Sequence, residues 1–195
     1  MKVTILGSGS SGGVPLIGNY WGNCDPKNIK NTRSRVSVLA NINEKNILFD
    51  TSPDLRLQAI NNNISTLDAV FWTHAHADHA NGIDDLRQFL WKRKVELPVY
   101  GSNETILSLQ SRFGYIFDDS NSYFQPPLEV NIINKNLNKL NDIEFMAFDQ
   151  NHGKEKTLGY RINNFAYSTD VKSFPKESEE YLYGLDLWIV DCVRY

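Results

Sequence analysis

The apolar and polar positions of the chain alternate between short strand-like runs and amphipathic stretches. Lys2–Leu6 alternates like a strand and feeds the glycine-rich loop Gly7–Gly13. An irregular stretch follows from Val14 to about Arg33, broken by Pro15, Gly18, Gly22 and Pro26. Two strands are predicted next, Arg35–Ile42 and Asn46–Phe49, joined by the polar turn Asn43-Glu44-Lys45. Asp50-Thr51-Ser52-Pro53 reads as a helix start, with Thr51 or Ser52 as N-cap and Pro53 in the first turn. That helix carries Leu55, Leu57 and Ile60 and ends in Asn61-Asn62-Asn63.

Ala69–Trp72 is a short apolar strand with a histidine cluster directly beyond its end. Ile83–Arg93 patterns as an amphipathic helix, Pro98–Tyr100 as a strand and Glu104–Phe113 as a helix. The second half is strand-rich, with Glu129–Ile133, Ile143–Asp149, Leu158–Ile162 and Phe165–Ser168. A polar helix at Glu177–Tyr183 and an apolar strand at Leu185–Val190 close the pattern. Two strand-rich halves with helices between them predict an α/β fold in which sheets pack on each other under outer helices. No repeat, low-complexity run or linker interrupts it, and a length of 195 residues fits one domain spanning 1–195.

Composition narrows the class. The chain is 41% hydrophobic and 12% aromatic, as a globular protein is. Its net charge of −3 offers no general attraction to nucleic acid or to an anionic membrane surface. No apolar run approaches the ~20 residues of a membrane span, and the N-terminal apolar run is shorter than a signal-peptide core of roughly 7–15 residues. Cys24 and Cys192 are far apart and form no CxxC frame, so a cytoplasmic protein without a disulfide framework is expected.

The chemistry gathers in His74-Ala75-His76-Ala77-Asp78-His79, which holds three of the four histidines. Imidazoles with a carboxylate suit Zn²⁺, Mn²⁺ or Fe²⁺ better than the all-oxygen preference of Ca²⁺ or Mg²⁺. In an extended strand-end loop His74 and His76, two residues apart, point the same way. Asp78 and His79 follow as the chain turns into a helix and can face a second ion. Two ions ~3.5–4 Å apart clamp a hydroxide and the oxygens of a displacement.

HxHxDH after a short apolar strand resembles the signature of the metallo-β-lactamase superfamily, and the resemblance extends along nearly the whole chain. It implies a four-layer αβ/βα sandwich with a metal site at one sheet edge. Asp50, after Ile47-Leu48-Phe49, matches the acidic residue that props the histidine loop from behind. His152, in Asp149-Gln150-Asn151-His152-Gly153, matches the third ligand motif, and Asp170, in Tyr167-Ser168-Thr169-Asp170, the bridging carboxylate. The resemblance thus implies one ion on His74, His76, His152 and Asp170. The second ion, Zn or Mn like the first, would sit on Asp78, His79 and Asp170 plus a later histidine beyond Val190-Asp191-Cys192-Val193-Arg194-Tyr195. All four histidines are already assigned, so a weakened second site and a missing C-terminal segment are expected.

Within the superfamily, Gly7-Ser8-Gly9-Ser10-Ser11-Gly12-Gly13-Val14-Pro15, Asp50-Thr51-Ser52-Pro53-Asp54-Leu55-Arg56 and Asn151-His152-Gly153 are similar to the phosphoribosyl 1,2-cyclic phosphate phosphodiesterase-like branch. That resemblance implies a phosphodiesterase acting on a small cyclic phosphate ester through a metal-activated hydroxide, with Asp78 orienting it or relaying its proton. The alternatives are a tRNA 3′-processing type of ribonuclease, which the net charge disfavours, and a weakly active or inactive metal-binding remnant. Arg33, Arg35 and Lys154 are candidate phosphate contacts, although solvated surface charge is the simpler account. A homodimer fits this picture as well as a monomer does.

Overall fold

The protein is described by a computed structural model covering residues 1–118, 128–133 and 137–192. Strands β1 (Lys2–Gly7), β2 (Ser37–Ile42), β3 (Lys45–Phe49), β4 (Ala69–Phe71), β5 (Leu97–Gly101) and β6 (Leu128–Ile132) form one sheet in chain order. The first three pair antiparallel, and β3 through β6 pair parallel. The polar turn accounts for the antiparallel β2–β3 pairing. Asn43 and Glu44 both take left-handed φ values, 48° and 62°, which closes a two-residue hairpin between β2 and β3. Beyond β3, α1 (Leu55–Asn61), α3 (Leu86–Arg93) and α4 (Asn103–Phe113) carry the chain back over one face, with the single turn α2 (Ala77–Ala80) between them.

A second sheet has the order β11–β10–β9–β8–β7. Its strands are β7 (Asn138–Leu140), β8 (Ile143–His152), β9 (Glu155–Ile162), β10 (Phe165–Ser168) and β11 (Leu187–Val190). All its pairings are antiparallel except β10 with β11.

The apolar run of β4 is buried on both faces, as a central parallel strand requires. Ile47, Leu48, Phe49, Ala69, Val70 and Phe71 are each 0% exposed. Leu48 and Val70 pack under the helices with Leu55, Leu86 and Leu109. Ile47, Phe49 and Phe71 meet Phe145, Tyr160 and Phe165 of the second sheet. Each such side chain contributes about 1.5–3 kcal/mol of transfer free energy, which fixes the two sheets face to face. Outside the second sheet a 3-10 segment, Lys176–Leu182, lays Tyr181 on Phe148 with ring centroids 5.6 Å apart. Helices, sheet, sheet and this outer segment give the expected four-layer order. No helix among the described residues is long and apolar enough to cross a membrane.

The structure departs from the pattern in several places. β7 carries one apolar residue and forms only because it pairs with β8. β8 and β9 extend to His152 and from Glu155, because a turn at Gly153 (φ 65°) lets the hairpin continue past the core. The expected helix at Glu177–Tyr183 is a 3-10 segment. The N-cap of α1 is Asp54 rather than Thr51 or Ser52. Ser52 instead accepts from the Asp54 amide at 3.0 Å, while Thr51 accepts from the Trp72 indole and donates to the Ala80 carbonyl. Leu57 and Ile60 of α1 are both 56% exposed, so only part of its apolar pattern faces the core. Residues 193–195, which follow β11, lie outside the described residues.

Candidate metal centre

Four strand ends meet at one edge of the sandwich, the usual place for a site in sheets of this kind. β3 leads to Asp50, β4 leads through Trp72-Thr73 to His74, β8 ends at His152, and β10 leads through Thr169 to Asp170. Two bonds lock the sheets together here. Tyr160 donates to the Trp72 carbonyl at 2.6 Å, and the Leu158 amide donates to the Thr73 carbonyl at 3.0 Å. Asp50 and Asp170 both adopt left-handed backbone, with φ of 60° and 51°. Among non-glycine residues Asp tolerates this conformation comparatively well, and here it turns each carboxylate inward at a strand end.

Asp50 is fully buried and organises the histidine loop. Its carboxylate accepts from the Thr73 amide at 2.8 Å and from the Thr73 hydroxyl at 2.9 Å, and lies 2.8 Å from His79 Nδ1. These contacts determine the tautomers. A carboxylate only accepts, so His79 Nδ1 carries a proton and its Nε2 is directed elsewhere. The Thr73 hydroxyl spends its single proton on Asp50, so it accepts at 2.9 Å from His74 Nδ1–H. His74 Nε2 is thereby left with a free lone pair. The same wiring orients metal-ligating histidines generally.

Both Nε2 atoms are buried without a hydrogen-bond partner. They converge on Asp170, whose Oδ2 lies 3.5 Å from Nε2 of His74, of His79 and of His152. Donor atoms of His74, His76, His152 and Asp170 all lie within 4.8 Å of one another, and so do those of Asp78, His79 and Asp170. The six residues expected as ligands are thus brought together as two sets sharing Asp170. Orphaned imidazole nitrogens facing a shared carboxylate across a gap are the donor set of a divalent cation, so the residues fit the implied metals. The first set offers four donors; the second offers three among the described residues.

The electrostatics favour a cation. Burial opposes a charge on His79, but Asp50 and Asp170 outweigh it and push its pKa up to about 10. Burial lowers the His74 pKa, with Asp170 partly offsetting it. Burial alone would raise the Asp170 carboxyl, yet His74 and His79 hold it far below the usual carboxylate range. A field that keeps a proton on a buried imidazole would also favour a metal ion in the same place.

Several supports were not foreseen from the sequence. Arg112 of α4 donates to the Ala75 carbonyl at 2.6 Å and to the Asn81 side chain, gripping the histidine loop before and after α2. Gly82 lies so close to the preceding loop that a Cβ there would sit 2.0 Å from the Ser52 carbonyl. Glu155, across the hairpin from His152, reaches His76 Nε2 at 3.0 Å. Burial raises the Asp191 carboxyl, and the backbone of Val171 and Asp170 beside it partly offsets that rise. None has a local motif, because each acts on a residue distant in the chain or through the backbone. Of the candidate phosphate contacts, Arg35 is committed to Asp54 through Nε at 2.9 Å and Nη2 at 2.5 Å, and Arg33 donates to the Lys30 and Thr32 carbonyls. Both guanidiniums therefore have protein partners, although Arg33 also lines a cleft beside the metal donors. Lys154 is exposed in the hairpin turn. A cleft of about 370 Å³ opens beside the donors, lined by Gly7, Ser8, Asp78, His79, Asp170 and Asp191 among others.

Residues 45–195 match the family described as the beta-lactamase superfamily domain. Over 197 aligned residues the chain is 35% identical to a protein of Porphyromonas gingivalis named Octanoyltransferase, matching all of this chain and 40% of that protein. It is 33% identical over 135 residues to a Ribonuclease Z of Pyrococcus horikoshii, covering 66% of this chain and 42% of that one. The chain therefore spans about 40% of the length of these curated relatives. Among solved structures, a diphosphatase from the PhnP family superposes with a TM-score of 0.84 at 35% identity, over 95% of this chain and 71% of that one.

Proposed function

Because the chain belongs to the metallo-β-lactamase superfamily, we propose that it is a metal-dependent hydrolase that cleaves a small phosphate ester, a cyclic one by the motifs of its loops. One observation carries this reading: two donor sets share Asp170 at a single sheet edge, beside a cleft of about 370 Å³. His74, His76, His152 and Asp170 would hold one divalent ion, Zn or Mn, and Asp78, His79 and Asp170 the second. Bound ions would supply an activated water and offset charge on the phosphoryl oxygens. The protein's own part is to hold the donors. Asp50 fixes the imidazole of His79 directly and that of His74 through Thr73, and Asp78, at the cleft wall, orients the attacking water or takes its proton. The similarity to a diphosphatase over 95% of the chain supports a phosphoryl target. We also take residues 1–195 as one folding unit, since one aromatic core joins both sheets, and place it in the cytoplasm on its free Cys24 and Cys192.

The test is to load purified protein with Mn²⁺ or Zn²⁺, count bound ions, and assay bis(p-nitrophenyl) phosphate and a phosphoribosyl cyclic phosphate. About two ions with turnover supports the reading; two ions without turnover of either ester overturns it. One ion and no turnover supports a metal-binding remnant instead. The match to a Ribonuclease Z favours a second reading, RNA 3′ processing, which cleavage of a precursor tRNA at its 3′ end would establish.

A further inference from the structure

On the outer face of the helical layer, a groove of about 600 Å³ runs between α1 and α3. Its floor is Leu55, Ala59 and Phe89, all buried, and Ile60 flanks it at 56% exposure. Leu57, one turn before Ile60, is exposed to the same extent. Beside the groove, Trp91 of α3 is 74% exposed and has no ring contact or hydrogen bond among the described residues. Gln88 and Lys92, which line the groove, lie three residues before Trp91 and one after it, so the indole stands on the same exposed side of the helix. Single exposed apolar side chains are ordinary, but an exposed indole next to an open apolar groove marks an interaction face.

We propose that this face joins two copies of the chain about a two-fold axis crossing α3 near Gln88, with Trp91 of each copy seated in the α1–α3 groove of the other. The pairing is independent of which ester the metal site cleaves. Its occupant is specified by charge. Asp85 stands at the start of α3, whereas Lys92 and Lys94 stand at its end. Neither Asp85 nor Lys92 has an ion-pair partner among the described residues, and both line the groove. They are about 10 Å apart along the helix. A two-fold axis midway between them sets the two α3 helices antiparallel and brings Asp85 against the partner subunit's Lys92, and the reverse. The same operation puts Trp91 opposite the partner subunit's Leu86, where the groove passes between Asp85 and Phe89.

Other occupants fit less of this face. An acidic peptide would meet Asp84 and Asp85, and a basic one Lys92 and Lys94, whereas a reversed second copy satisfies both ends. A small ligand would fill the groove but leave Trp91 uncovered. A two-fold contact uses one patch on both subunits, so the indole and the groove have to lie side by side, as they do. Burying an indole removes roughly 150–250 Å² from each copy, a substantial part of the ~800 Å² each partner gives in a standard interface. Leu57 and Ile60 extend the apolar part of the patch.

Sedimentation equilibrium on the full chain at ~1–100 µM tests the pairing, in the range where interfaces of this size dissociate. Wild type is expected to give a dimer, and Trp91→Glu to weaken it about thirtyfold or more, as loss of a central tryptophan does. Trp91 is exposed in one copy, so the variant should keep its far-UV circular dichroism. Should it not, Lys92→Glu carries the test. It faces a carboxylate with a carboxylate and is expected to weaken the dimer about tenfold, with the difference narrowing at high salt. A wild-type protein still monomeric at about 100 µM overturns the proposal and leaves the face to a different partner. A dimer that either folded variant leaves within twofold of wild type also overturns it, because the contact then lies elsewhere.

Discussion

The candidate metal centre has a buried half and an open half, and they are built differently. His74 and His79 are almost fully enclosed, and their outward nitrogens are tied to Thr73 and Asp50 in a network with no solvent access. His76 and His152 expose 44% and 34% of their side chains and rest on a loop and a hairpin. The buried half is therefore held in place by the protein alone, whereas the open half has fewer contacts to hold it. In the interior every unmade hydrogen bond is costly, so tautomer and ring orientation are fixed; at the surface water competes for each contact.

The strongest way to break the contrast is Asp50→Ala. It removes the acceptor for the Thr73 amide and hydroxyl and for His79 Nδ1, all buried. Losing one partner of a buried pair costs about 3–5 kcal/mol, so urea denaturation is expected to show destabilisation of that order and metal binding to fail at both sets. A loss below about 1 kcal/mol would mean that Asp50 does not organise the loop.

Metal removal with a pH series probes the same half next. The folded pKa of His79 is about 10 against an ordinary 6.5. A raised pKa means stabilisation that is complete below pH 6.5 and is lost as pH rises toward 10. The Asp170 carboxyl is depressed from 3.8, so its contribution holds above that value and disappears as the pH falls. Chelator-treated protein is expected to lose Tm between pH 6.5 and 10. Added Zn²⁺ or Mn²⁺ takes the place of the His79 proton, so that loss should flatten and binding should release a proton. A Tm independent of pH after chelation would contradict the assigned field.

How much of this was legible in the chain follows the same division. Residues that carry the chemistry stand in short motifs at strand ends, so the histidine cluster, Asp50, His152 and Asp170 were all recognisable, as were the apolar strands that aim them. The fold followed because β3 and β4 carry the apolar runs Ile47–Phe49 and Ala69–Phe71, which only a doubly covered sheet can bury. What stayed hidden acts at long range. Arg112 is 37 positions from Ala75, and Glu155 meets His76 only because the β8–β9 hairpin folds over the loop. β7 likewise exists by pairing rather than by pattern.

Arg112→Ala sits between the two halves, since it loosens the loop without touching a donor. Two contacts from a charged guanidinium to partly exposed acceptors are worth about 1–2 kcal/mol together. Supporting residues of this type change metal affinity about tenfold. Competition with a chromophoric chelator should show that loss, with Arg112→Lys recovering part of it through the single contact it can keep.

Glu155→Gln is expected to have the smallest effect and measures how little the open half depends on its supports. Glu155 is 62% exposed, and its 3.0 Å contact with His76 competes with water throughout. The stability change should stay below about 0.5 kcal/mol, as for exposed ion pairs in general. Gln can still accept from His76 Nε2–H, so metal affinity should fall by no more than about threefold, and raising the salt concentration should erase even that difference. A tenfold loss that survives high salt would show that the open half is as preorganised as the buried one, and the division drawn between them would have to be given up.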